Sequence, residues 1–171
     1  MDRLTVALMA GPPGSGKSSL AKAVARELRW PVIDKDTIKS WLLTHGASED
    51  LAATASYGLM LELGRDLMVE QGLCVVLDSP AGYPMVLEDA TKVANEAGGV
   101  LRVVLCIADD EVRKRRIIER DAKPSQWKEP HETPPVNERT WREYLPEDTL
   151  TVDSSGSLET LVPEVVRYLC A

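Results

Sequence analysis

The run Gly11-Pro12-Pro13-Gly14-Ser15-Gly16-Lys17-Ser18, followed by Ser19, fits GxxxxGK[ST] and begins directly after the apolar stretch Leu4–Ala10. Backbone that must close around a polyphosphate needs glycine, because its amides have to turn inward at short range. A lysine in the place of Lys17 reaches β- and γ-phosphates, and the hydroxyl after it, Ser18, holds Mg²⁺. The run therefore reads as a loop for a nucleoside triphosphate, with contacts expected from Gly11 through Ser19. A Gly/Pro-rich turn that binds nothing is the plain alternative.

Three further clusters carry chemistry. Leu73-Cys74-Val75-Val76-Leu77 followed by Asp78 places a carboxylate at the end of a buried strand, where it can orient Mg²⁺ or its water. Residue 79 is Ser rather than the water-activating Glu of motor ATPases, and the chain lacks the Asn-Lys-x-Asp with which GTPases select guanine. Both absences favour transfer of a phosphoryl group over its hydrolysis. Asp36, in Asp34-Lys35-Asp36, is the candidate base for an acceptor hydroxyl, with Lys39 one helical turn on as a substrate contact. Either aspartate could instead cap the helix that follows, and Asp34 suits that role better. Arg116 and Arg120, four apart, can close over transferring phosphates. Arg113 and Lys114 suit a solvated face, and Arg115 is undecided. Trp41, Trp127 and Trp141 are expected to pack rather than stack on substrate, and Asp153-Ser154-Ser155-Gly156 is a candidate adenine-side turn.

The elements that would position these groups alternate strand and helix, the pattern of a parallel sheet covered on both faces. Strands are expected at 4–10, 31–33, 73–77, 100–108 and 149–152. Helices are expected at 16–28, 37–43, 51–70, 84–97, 109–120, 137–144 and 158–169, with Leu59, Leu63 and Leu67 at helical spacing in the third. Pro163 could kink the last helix or mark its start. Residues 121–135 contain Pro124, Pro130, Pro134 and Pro135 and read as a loop, mobile without ligand.

The 171 residues suit one domain, and 44% hydrophobic content excludes wholesale disorder. Nothing in the sequence reads as a signal peptide or membrane span, and the odd cysteine count (Cys74, Cys106, Cys170) fits reduced thiols, so a cytoplasmic location is expected. Two distant histidines give no zinc cluster. A net charge of −7 disfavours broad capture of nucleic acid, yet residues 113–128 carry seven basic against two acidic side chains, which suggests a local phosphate site.

GPPGSGKS, VIDKDTIK, VVLDS, RRIIER and TVDSSGS occur in an order that resembles the small P-loop kinases, the AAA-domain group with polynucleotide 5′-hydroxyl kinases, zeta-toxin-like and chloramphenicol-phosphotransferase-like enzymes. The resemblance covers nearly the whole chain. It implies an α/β, three-layer P-loop NTPase fold with a five-stranded parallel sheet in the order 2-3-1-4-5, and a closing lid at about 109–135. ATP with Mg²⁺ would be the donor system, Asp36 the base, Arg120 the main lid arginine with Arg116 beside it, and 152–156 the adenine contact, including Ser154 and Gly156. Lys39 stands where polynucleotide kinases carry arginine, and with the acidic surface this favours a small metabolite or antibiotic as acceptor over nucleic acid. A polynucleotide or nucleotide-sugar kinase of toxin type, and a nucleotide-gated binding protein without transfer chemistry, are the other readings. Loops 44–52, 79–86 and 121–135 are expected to choose the acceptor.

Overall fold

The computed structural model describes residues 3–126, 128–129 and 143–171. Strand β1 (Thr5–Ala10) is buried along its length, between β3 (Val75–Asp78) and β4 (Val100–Ile107). Short strands β2 (Val32–Asp34) and β5 (Leu150–Asp153) complete a parallel sheet in the order β2-β3-β1-β4-β5. Side chains of a strand alternate between its faces. Val6 and Leu8 accordingly enter one core with Met60, Met68 and Val86, while Ala7 and Met9 enter the other with Leu20, Val24 and Val165.

Helices α3 (Glu49–Arg65) and α4 (Pro84–Glu96) cover the first face, and α1 (Lys17–Leu28) and α6 (Leu158–Leu169) the second. Helix α3 ends in a π-helical turn over Asp66–Glu70. Its buried face is Ala52, Ser56, Met60 and Gly64, whereas Leu59 and Leu63 are exposed, so the spacing found the helix but not its inner side. Apart from Met60 that face is small, and at Gly64 the space is taken by β3: a Cβ there would sit 3.2 Å from Leu77 Cδ2. Pro163 lies inside α6. The expected helix at 137–144 lies largely outside the described residues.

Helix α2 (Lys35–Thr44) starts straight from β2, and α5 (Asp110–Glu119) follows β4. Both bear on the loop between β1 and α1. Among the described residues no helix is long and apolar enough to cross a membrane.

Candidate active site

The glycine-rich loop leaves β1 at Gly11 and enters α1 at Gly16, which supplies no side-chain cap. The first-turn amides of α1 therefore have no partner within their own helix, and with the helix dipole they form an anion site. Gly14 is obligatory: its φ is +77°, and a Cβ there would lie 2.6 Å from the Arg113 carbonyl oxygen. A cavity of about 590 Å³ opens above the loop. Pro13, Gly14, Gly16, Lys17, Ser18 and Ser19 line it, whereas Gly11, Pro12 and Ser15 lie beneath.

Helix α5 grips the loop from outside. Arg113, expected on a solvated face, is only 5% exposed; its Nε donates to the Pro13 carbonyl at 3.0 Å and its Nη1 to Asp110 at 2.6 Å. The expectation fails because α5 has few apolar residues to show which side is inner. Lys114 does lie on the surface, paired with Glu111. Arg116 reaches the Ser154 carbonyl at 2.6 Å and the Gly14 carbonyl at a long 3.5 Å, while also lining the cavity. Engaging the loop carbonyls from behind leaves its amides to the ligand side.

The Ser154 hydroxyl turns into the protein, toward the carbonyls of Ser15 and Ile107, so this side chain braces the loop rather than reaching outward to a base. Gly156 is exposed with open space around its Cα. Neither lines the cavity.

Asp78 ends β3 at 2% exposure, in register with Asp34 on one side and Met9 on the other. Neither of its carboxylate oxygens has a hydrogen-bond donor at good geometry. Burial pushes its pKa up, against the opposing influence of Lys17 and Ser18. A buried carboxylate so poorly matched by donors is costly. An Mg²⁺ ion or its water shell beside Ser18 is the group such a carboxylate fits.

Asp34 and Asp36 divide the two roles open to them. Asp34 caps α2, accepting from the Asp36 amide at 2.8 Å and the Thr37 amide at 3.3 Å. Asp36 is thereby free of capping, and its carboxylate lines the cavity that Lys17 also lines. Lys35 holds one of its oxygens at 2.7 Å and Gln126 donates to the other at 3.1 Å. Burial acts to raise the Asp36 pKa, but the Lys35 charge and hydrogen bond, then Gln126 and Lys17, outweigh it and keep the carboxyl below its usual range. Lys39 lines the same cavity and pairs with Glu49 at 2.8 Å. Arg120 completes this side; burial lowers its pKa and the Asp36 charge works the other way.

Residues 123–126 are fastened to α2 rather than loose. Lys123 bonds Asp34 and Thr37, and Ser125 bonds the Asp36 carbonyl at 3.1 Å and Ser40 at 2.9 Å. These contacts give the first part of 121–135 a defined place beside α2; residues 127 and 130–135 lie outside the description.

Aromatic side chains also line the cavity. Tyr57 lies beneath the Lys35 ammonium, 5.3 Å from ring centre to Nζ, and meets Tyr83 edge-on at 5.9 Å. Tyr144 donates to the Ala81 carbonyl at 2.7 Å. Burial pushes the Tyr57 phenol far above its ordinary pKa, so it remains a proton donor. Sequence reasoning missed Lys35, Tyr57 and Tyr144 as lining residues; only the adjacency of Lys35 to Asp36 offered a signal. Of the three expected loops, 79–86 contributes Pro80, Gly82 and Tyr83 and 121–135 contributes Ser125 and Gln126, while no residue of 44–52 lines the cavity. Trp41 neither packs in the core nor faces the cavity: it is 59% exposed and stacks on His45. Trp127 and Trp141 are outside the described residues.

A parallel sheet in this order, with a glycine-rich loop joining its central strand to a helix, is a P-loop NTPase fold. A family model described as AAA domain matches residues 6–144, and the chain belongs to that family. Its fold is shared with small kinases. The Mycobacterium tuberculosis APS kinase CysC, solved with AMPPNP and APS, is 19% identical over 100% of both chains (TM-score 0.67). A gluconokinase from Sinorhizobium meliloti 1021 is 21% identical over 98% of this chain and 92% of its own (TM-score 0.62). A Chloroflexus aurantiacus j-10-fl protein is 18% identical over 99% and 97% (TM-score 0.74). No curated protein matches the sequence.

Proposed function

We propose that this protein is an ATP-dependent phosphotransferase that moves the γ-phosphoryl group to a hydroxyl of a small molecule. The observation that carries the reading is one cavity lined both by Lys17 with the α1 N-terminus and by Asp36, released from capping by Asp34. A nucleotide switch without chemistry has no use for an ionised carboxylate at that position.

In this reading the loop amides and Lys17 hold the phosphates, with Arg116 and Arg120 balancing charge on the transferring group. Asp36 orients the acceptor hydroxyl and takes its proton. The acceptor oxygen bonds to the γ-phosphorus as the bond to the β-bridging oxygen breaks, and ADP departs. Ser18 and Asp78 are the residues for Mg²⁺, which when bound offsets phosphate charge. Tyr57, Tyr83 and Tyr144 give the cavity aromatic walls against which the acceptor can pack. The turn at 152–156 is proposed to meet the adenine through its backbone, since the Ser154 hydroxyl is engaged elsewhere.

The test is ADP release from ATP and Mg²⁺ across a panel of hydroxylated small molecules, with Lys17→Ala as control. Acceptor-dependent ADP formation that disappears in Lys17→Ala is expected. Turnover in that variant within a few-fold of the parent removes the assignment.

A further inference from the structure

We infer that the phosphoryl acceptor carries a fixed negative charge, a carboxylate or a phosphate or sulfate ester, bound by Lys35 and Lys39 beside Tyr57. The inference rests on the phosphotransferase reading and narrows its acceptor.

Three features of the cavity carry it, of which the first is the charge left over. Among the described residues lining the cavity there are five cations and one carboxylate, Asp36. Lys17 and Arg116 stand at the phosphate loop, and Arg120 lies within the field of the Asp36 charge. Lys35 and Lys39 share a face of α2 at i and i+4, both mostly buried, at 10% and 17% side-chain exposure.

The second is the position of Lys35. It is the first residue of α2, where the helix dipole disfavours a cation, and it is buried over the Tyr57 ring. A cation there is expensive unless an anion keeps it company. Its anion in the free protein is Asp36. When Asp36 takes up the acceptor's proton that negative charge vanishes, and Lys35 is stranded at the moment of transfer. A substrate that brings its own anion removes the penalty; a neutral polyol does not.

The third is Lys39. Its partner Glu49 is 69% exposed, and a pair with so open a carboxylate contributes little. A ligand anion held by Lys35 can displace Glu49 and gain a second cation. Tyr57, which keeps its proton, donates alongside.

The experiment uses matched neutral and anionic pairs: a hexose and its aldonic acid, glycerol and glycerol phosphate, a nucleoside and its monophosphate. With AMPPNP and Mg²⁺ bound, each compound is tested for its shift in melting temperature, and with ATP for ADP release. Anionic members should stabilise and turn over at least ~10-fold better than their neutral partners, the discrimination a site gains from a polar group that must be matched. The acid and ester arms tell carboxylate from phosphate. Lys35→Gln should erase most of that preference, Lys39→Gln should weaken it, and Lys35→Arg should keep it. Equal response to both members of every pair overturns the inference, as does a Lys35→Gln variant that folds and lowers all compounds alike. Failure of AMPPNP itself to stabilise the protein strikes the phosphotransferase reading instead.

Discussion

The Arg113 guanidinium donates its Nε hydrogen to the carbonyl of Pro13, 100 residues earlier, at 3.0 Å. A helix remote in sequence thus fixes the curvature of the phosphate loop. Arg113→Ala should therefore destabilise the fold by about 2 kcal/mol, because a part-buried carbonyl loses a charged donor, Asp110 its partner and the buried Arg113 stem its packing. At this chain length that is a fall of roughly 4–8 °C in melting temperature. Lys114→Ala, which removes only a surface pair, should be indistinguishable from the parent in the same thermal scan.

Asp34 and Asp36 should separate cleanly. Asp34→Ala removes the α2 cap and should cost about 1 kcal/mol in denaturant unfolding. Asp36→Asn leaves that cap in place and should leave nucleotide affinity nearly unchanged. Transfer to an identified acceptor should fall about 10²-fold, within the range of general-base catalysis. Equal turnover of the two proteins ends the assignment of Asp36.

The pH dependence has a definite sign. Asp36 titrates below its ordinary value of 3.8 in the folded protein, so its contribution to stability is complete above that value and vanishes as pH falls through the lowered one. The Asp36 carboxylate is then ionised throughout the neutral and mildly acidic range. Turnover should show no acid limb from it above about pH 5.

Asp78 behaves in the opposite sense. Its pKa is raised, so the folded protein binds the proton more tightly than the unfolded chain, and stability falls as pH rises from 3.8. Asp78→Asn should raise the melting temperature of the ligand-free protein by roughly 3 °C or more, by removing a buried charge. The same variant should lose most of the extra stabilisation that Mg²⁺ adds to ATP. A lower melting temperature at neutral pH speaks against a carboxylate kept there for a metal.

Arg116 and Arg120 should differ in what they lose. Arg116 braces the loop and the turn at Ser154, so Arg116→Ala should weaken nucleotide binding and lower stability together. Arg120→Ala should reduce turnover far more than affinity, as expected of a charge needed most in the transition state. Isothermal titration with AMPPNP beside steady-state kinetics makes the comparison.

Much of the fold was legible because glycines and apolar runs impose themselves locally. The loop at Gly11–Ser18 announces a phosphate site, and the unbroken run before Asp78 announces a buried parallel strand. The sheet order came from the resemblance of motifs, not from periodicity. The division between Asp34 and Asp36 was legible in outline, since a cap belongs one residue before the helix. Tyr57 was not, because Leu59 and Leu63 of α3 face outward and the inner side, Met60 apart, is built of Ala52, Ser56 and Gly64, which leave no apolar stripe to read. Arg113 was hidden for a related reason: its burial is created by contact with a loop distant in the chain, which no local pattern of α5 encodes.

Arg113 and Arg116 bolt α5 to the phosphate loop, while Lys123, Ser125 and Gln126 are fastened to α2. Residues 120–122 span the chain between these two attachments, beginning at Arg120 with an extended backbone (φ −75°, ψ 148°). Arg120 therefore stands on the stretch that leads from the segment held to the phosphate loop to the segment held to α2.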